Sequence, residues 1–189
     1  MKDRMHTLQK EMTMTLALLV LISIMWVPVG MFFLGYGEAK TTGFVSAVVG
    51  ILVVIGATLQ AAVFTDPFTA GLLFVFGVLY LQTGHALLTG VTDLRTVGNG
   101  ALLVGVVCAV YAYLFATGGG VKPDGKTFIG VAPYLAFMNL TFVVICFTVT
   151  GVTYGKINPK VAATMFLVLT VTCLLTPAFS LMAYGKLPF

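Results

Sequence analysis

Charged side chains are scarce in this chain. Of its 189 residues, only 8% are Asp, Glu, Lys or Arg, whereas 59% are hydrophobic. Soluble domains carry about 25% charged residues, so the composition excludes an ordinary soluble domain. The formal charge of +4 is small and the basic residues are dispersed along the chain, so we expect no nucleic acid as a partner.

The few charged residues divide the chain into long uncharged stretches. A transmembrane helix needs about 20 predominantly apolar residues, so each stretch predicts one spanning helix and none predicts two. The alternating polar positions of a membrane β-barrel are missing. The sequence therefore predicts an all-α polytopic protein, a bundle of six transmembrane helices in a lipid bilayer. The stretches are approximately 12–37, 41–65, 67–92, 96–121, 127–155 and 161–185.

The predicted domain organisation is a single transmembrane domain, 12–185, between a polar N-terminal tail, 1–11, and a C-terminal tail, 186–189. Asp66 precedes a proline and is expected to cap the third helix. The fifth helix is predicted to start near Thr127, after the polar loop GGGVKPDGK, and the sixth at Asn158 or Pro159. Pro177 is expected to bend the sixth helix.

Groups that carry catalysis or bind metals are few inside the predicted helices. Cys108, Cys146 and Cys173 show no CxxC spacing and are interpreted as small apolar core residues. His85 is the only histidine in a span, too few ligands for a metal or a bis-histidine haem. We therefore expect no enzyme activity, no metal and no cofactor. For His85 we favour a structural or interfacial role, with pH gating as the alternative.

No carboxylate lies near the centre of any predicted span. Ion-driven transporters place Asp or Glu there, so this absence favours a passive pore for uncharged solutes. Two helices each carry a row of residues that share one helix face, which we call a stripe. Such a stripe lines a narrow aromatic slot or forms an ordinary interhelical contact. The stripes are Phe74, Val78, Leu81 and His85 in the third helix, and Tyr134, Phe137 and Thr141 in the fifth.

The third helix also carries a more specific pattern. It reads GLLFVF over 71–76, then Leu79-Tyr80 and His85, with Asp93-Leu94-Arg95 beyond its end. This pattern resembles the AmiS/UreI family of urea channels and short-chain amide transporters. Gly84 stands where the family has Asn before His85. Gly155-Lys156 ahead of Pro159, and Pro177-Ala178, are weaker similarities.

The resemblance implies a homo-hexamer in the inner (plasma) membrane with one aromatic-lined pore inside each protomer. The solute would be small and neutral, urea or a short-chain amide. The resemblance puts both termini outside the cytoplasm, whereas the distribution of basic residues weakly favours the cytoplasm. We follow the resemblance and expect extracytoplasmic termini, because the short loops that carry Lys40, Arg95, Lys156 and Lys160 then face the cytoplasm. The family's acid-sensing outer loop is missing between helices 2 and 3, so we expect no acid gating.

The resemblance also implies which residues line the pore. Trp26, Phe74, Tyr134 and Phe137 would form the constriction, and Thr141 would offer a hydrogen bond to the solute. His85 is a candidate polar or gating residue. The full predicted lining is Trp26, Phe74, Val78, Tyr134, Phe137, Leu140 and Thr141.

A second hypothesis is a non-catalytic structural subunit of a larger membrane enzyme complex. In that case the aromatic stripes would be packing surfaces between subunits. The mass of the particle in mild detergent separates the two hypotheses, since a channel of this family would run as a homo-hexamer.

Overall fold

A computed structural model describes the backbone of residues 2–64, 66–119 and 130–188, and the side chains of these residues except 2–13 and 15. The described residues form helices and loops and contain no strand. Six helices among these residues are long and apolar enough to cross a membrane, which confirms the predicted all-α polytopic fold. They are α1 (Lys2–Phe33), α2 (Ala39–Ala62), α3 (Pro67–Thr89), α4 (Arg95–Thr117), α5 (Pro133–Thr153) and α6 (Pro159–Tyr184).

The six helices form a closed ring. Each helix packs against its neighbours in sequence, and α6 returns to pack against α1. Short loops join successive helices, so the helices alternate in direction. Three loops, 34–38, 90–94 and 154–158, lie at one end of the bundle, which we call the first end. The start of α1, the end of α6 and the described parts of the two other connections, 63–64, 66, 118–119 and 130–132, lie at the other, the second end.

Side-chain caps define where several helices begin. The carboxylate of Asp66 accepts a hydrogen bond from the Thr69 N–H at 3.0 Å, as predicted. Asn158 caps α6 through the Lys160 N–H at 2.9 Å. Prolines occupy the first positions of α3, α5 and α6, where their missing N–H costs nothing.

The fifth helix starts later than predicted. Residues 130–132 are not helical, and α5 begins at Pro133. A residue before proline is driven from the α region, and Ala132 lies outside that region, with φ −138° and ψ 84°. Thr127 and most of the predicted polar loop lie outside the described residues.

Just before Pro177, where a bend was predicted, α6 contains a π-helical stretch, Thr170–Leu175. In this geometry the N–H of one residue bonds to the carbonyl five residues earlier, as Thr176 does to Val171. Pro177 has no N–H to continue the series to Thr172. The Tyr134 hydroxyl donates to that carbonyl instead, at 2.5 Å, and so joins α5 to α6.

Candidate functional site: an aromatic junction between two cavities

Four aromatic side chains meet in the middle of the ring. Trp26 of α1 is 2% exposed, and its Nε1–H donates a hydrogen bond to the Tyr80 hydroxyl of α3 at 3.1 Å. The Phe142 ring of α5 packs edge-on against Trp26 and Phe76, with centroid distances of 5.6 and 5.4 Å. Such edge-to-face contacts are favourable for aromatic pairs. The cluster thereby links three helices across the interior.

Two cavities lie inside the ring, and both are lined by Trp26, Phe76 and Tyr80. We call these three residues the aromatic junction. The first cavity extends from the junction towards the first end, where Phe33, Thr153 and other residues line it. The second extends towards the opposite end, past Asn139. The two cavities together therefore follow the axis of the bundle, with the aromatic junction between them.

The cavities are small. The first measures about 70 Å³ and the second about 170 Å³. On the scale where one water needs about 10–15 Å³, each has room for several water-sized molecules. None of the residues lining either cavity is Asp, Glu, His, Lys or Arg. The interior therefore suits a small neutral molecule and offers no counter-charge to an ion.

Polar groups occur at intervals along both cavities. In the first, the hydroxyls of Thr83 and Thr153 donate to the carbonyls of Leu79 and Thr150, at 2.9 and 2.8 Å. In the second, the Tyr111 hydroxyl donates to a backbone carbonyl, that of Phe68, at 2.7 Å. With their protons engaged, these hydroxyl oxygens keep lone pairs that can accept. The Asn139 side chain also lines the second cavity.

Of the seven residues predicted to line a pore, the structure brings only Trp26 to the cavities. Val78, Phe137 and Leu140 lie on the outer surface of the bundle, with 50%, 47% and 56% of each residue exposed. Phe74 is half-buried and lines neither cavity. The stripe that includes Phe74, Val78 and His85 therefore faces largely away from the interior.

The two remaining residues of the predicted lining hold α5 against α6. Tyr134 is buried and bonded to the Thr172 carbonyl. The Thr141 hydroxyl donates to the Met138 carbonyl at 2.7 Å and lies 3.2 Å from the Cys173 Sγ. Neither residue lines a cavity.

His85 is exposed and lies away from the aromatic junction. It lines a separate, open pocket between α3 and α4, together with Gln82, Asp93 and Thr96. Asp93 is paired there with Arg95, with 2.5 Å between Oδ2 and Nη2. Among the residues that the structure describes, no three His, Cys, Asp or Glu side chains form a group suited to a metal ion.

Sequence reasoning missed Phe76, Tyr80, Phe142 and Asn139 as residues of the interior. The glycines of α3 could have indicated that Phe76 and Tyr80 face the interior. Gly77 and Gly84 pack against α2, and small residues mark close helix contacts in membranes. Once that face is fixed, Phe76 and Tyr80, four residues apart, share a neighbouring face.

The fold and the interior define a class: a membrane protein with a closed ring of six helices around an axial pair of cavities. Within this class, the chain has the fold of the urea channel from Helicobacter pylori. It matches the crystal structure of that channel with a TM-score of 0.72 and 19% sequence identity, over 92% of this chain and 99% of the channel. It matches a cryo-EM structure of the channel in its closed state with a TM-score of 0.70 and 20% identity, over 88% and 96%. The fold implied by the resemblance to the AmiS/UreI family is thereby confirmed.

Comparison by sequence identifies no relatives of this chain. No protein-family model matches the chain, and no curated protein matches it.

Proposed function

We propose that this chain is a passive channel for a small uncharged polar solute, urea or a short-chain amide. The solute crosses the interior of each protomer through the two cavities and past the aromatic junction. The observation that carries the proposal is that both cavities share Trp26, Phe76 and Tyr80 and have no charged residue in their lining. The similar structures, which are of a urea channel, support the same class of solute.

The physical basis is the difference in dehydration cost between neutral and charged solutes. An ion entering an aromatic and aliphatic passage loses hydration that apolar walls cannot replace. A planar neutral amide loses far less, and hydroxyl and amide oxygens along the cavities replace part of its hydrogen bonding. The aromatic junction therefore acts as the constriction that selects by size and charge.

The assembly and the setting of the channel belong to the same proposal. The protein is a homo-hexamer in the inner (plasma) membrane, with one pathway in each protomer. Native mass measurement in mild detergent tests the assembly. A homo-hexamer supports the channel, whereas co-purification with fixed amounts of other subunits supports a structural role in a larger membrane complex.

Solute flux into proteoliposomes tests the function. Urea and acetamide should equilibrate faster than in protein-free vesicles, and sodium and chloride should not. Phe76→Trp adds bulk at the aromatic junction and should reduce urea flux about tenfold or more, because tight interiors do not absorb added volume easily.

The matched control is Phe74→Trp, the same change two residues away on the same helix. Phe74 lines neither cavity, so this variant should keep its urea flux. Flux no greater than in protein-free vesicles for every neutral amide would refute the channel. Equal loss in the two Trp variants would refute the placement of the constriction.

A further inference from the structure

The second cavity contains a buried amide whose oxygen is unsatisfied. Asn139 of α5 is 0% exposed and lines this cavity. Its Oδ1 accepts no hydrogen bond from any residue that the structure describes. A buried polar atom left without a partner costs about 1–3 kcal/mol, and such atoms are rare in folded proteins.

The orientation of this amide is fixed by its other half. The Asn139 Nδ2–H₂ donates to the carbonyl of Leu135, one turn earlier on α5, at 2.9 Å. Exchanging the oxygen and nitrogen would place two acceptors against each other, so the hydrogen-bond network decides the assignment. The oxygen is therefore the atom left for a further partner, and any partner must be a donor.

The surroundings of Asn139 supply little for the oxygen to bond. Its neighbours in the cavity lining include Leu72, Leu135, Met138 and Leu174, which have no side-chain N–H or O–H group. Thr69, Tyr80 and Tyr111 carry hydroxyls and line the same cavity, but none of them donates to this oxygen. The Tyr111 proton goes to the Phe68 carbonyl. The oxygen is covered in this structure, so a molecule that enters the cavity with an N–H group reaches it when a neighbouring side chain of the lining moves aside.

We infer that Asn139 Oδ1 is a solute-binding site that accepts a hydrogen bond from the N–H of a carboxamide or urea. This inference rests on the proposed channel function and adds the basis of its selectivity. The site favours solutes by the number of N–H donors they carry, beyond the size limit set by the aromatic junction. Amides without an N–H leave the oxygen unsatisfied and cross more slowly.

Three isomeric amides separate donor count from molecular formula. Propanamide has two N–H bonds, N-methylacetamide has one, and N,N-dimethylformamide has none. After subtraction of the flux in protein-free vesicles, the protein should pass propanamide fastest and N,N-dimethylformamide slowest. In Asn139→Leu, which keeps the shape and removes the acceptor, propanamide flux should fall about fivefold to tenfold, the effect of one hydrogen bond.

Two further variants keep this test decisive. Asn139→Ala removes the acceptor while widening the cavity, so any obstruction by leucine is avoided, and the preference for propanamide should vanish here as well. The control is Thr148→Val, a change of similar shape on the same helix. Thr148 is buried, its hydroxyl bonds to the Val144 carbonyl, and it lines neither cavity, so the preference should persist.

The outcomes distinguish this inference from the proposed function. Flux of urea and acetamide with an unchanged isomer preference in both Asn139 variants would overturn the binding site and leave the channel standing. Flux absent for every amide tested would overturn both. Loss of the preference in the Asn139 variants alone, with urea flux still above protein-free vesicles, is the expected result.

Discussion

At the scale of single residues, Trp26 is the chain's only tryptophan and lies where the two cavities meet. Its indole ring contacts Phe142 and Phe166 edge-on, at centroid distances of 5.6 and 5.2 Å, and its N–H bonds to Tyr80. A buried indole N–H needs such a partner. The hydrogen bond to Tyr80 therefore fixes the position of the largest side chain in the aromatic junction.

Removing the Tyr80 hydroxyl should be visible in the protein's own fluorescence. Tyr80→Phe leaves the Trp26 N–H without its acceptor, so we expect Trp emission to shift to shorter wavelength and the protein to lose about 1–3 kcal/mol of stability. Emission spectra and thermal unfolding in detergent measure both effects. Tyr113→Phe, at a residue that is 67% exposed on α4, is the control and should change neither; an unshifted spectrum in Tyr80→Phe would contradict the hydrogen bond.

Sequence alone could not indicate which aromatic residues line the interior. The helices are apolar on all sides, because lipid and protein interior both favour apolar residues, so no polar face shows how a helix is rotated. Phe74 and Phe76 are therefore equivalent in composition, and only packing distinguishes them. Asn139 Oδ1 was equally hidden, because its availability depends on which carbonyl the Nδ2–H₂ reaches.

At the scale of elements, the most extensive contact runs between α2 and α3. A Cβ added at Gly84 would come within 2.6 Å of the Ala47 backbone N, and one at Gly50 within 3.0 Å of the Gly77 carbonyl oxygen. These distances leave no room for a methyl group. The glycines thus let the two backbones approach closely. The van der Waals packing that results is a major attraction between helices in lipid.

Gly84→Ala should push α2 and α3 apart, because its new methyl group would meet backbone atoms of Ala47 that cannot move alone. We expect a loss of about 1–3 kcal/mol of stability, measured as a lower thermal unfolding temperature in detergent. Gly100→Ala on α4 is the control, since its methyl group meets the end of the flexible Gln82 side chain. Equal unfolding temperatures for the two variants would contradict the close contact.

At the scale of the whole molecule, the charges that mark the loops also stabilise the first end. The Glu38 carboxylate caps α2, and its pKa is lowered by hydrogen bonds from the Thr41 hydroxyl and the Lys40 and Thr41 N–H groups. The pKa of Asp93 is lowered to about 2, mainly by hydrogen bonds from the Arg95 side chain. Both carboxylates thus remain ionised well below neutral pH.

Urea flux should accordingly be the same at pH 7.5 and pH 5. A lowered pKa in the folded state gives stability that is present above the unfolded pKa values, 3.8 for Asp and 4.5 for Glu, and is lost as pH falls further. The cavity linings contain no histidine or carboxylate. Flux measured in proteoliposomes at both pH values checks this, with His85→Gln as the matched variant; a rise at pH 5 that His85→Gln abolishes would establish acid gating.

The helix number and the loops could be predicted because burying a charge in lipid costs so much that every charged residue marks a boundary. The closed ring could not be predicted from charge and hydropathy, since the contact that closes it joins α1 to α6, which are far apart in the sequence. The residues that line the two cavities could not be predicted for the same reason, because they come from α1, α3 and α5, which are distant in the sequence.

The uncharged linings of the two cavities have an electrical consequence. The membrane potential acts on a moving charge with about 2.3 kcal/mol per elementary charge per 100 mV, and it does no such work on a neutral solute. Neither the solute nor any residue of the described linings carries charge across the field. Under the proposed function, net flux of the neutral solute follows the concentration difference alone, so a cell would accumulate none of it by voltage and would draw it inward only as fast as it consumes it.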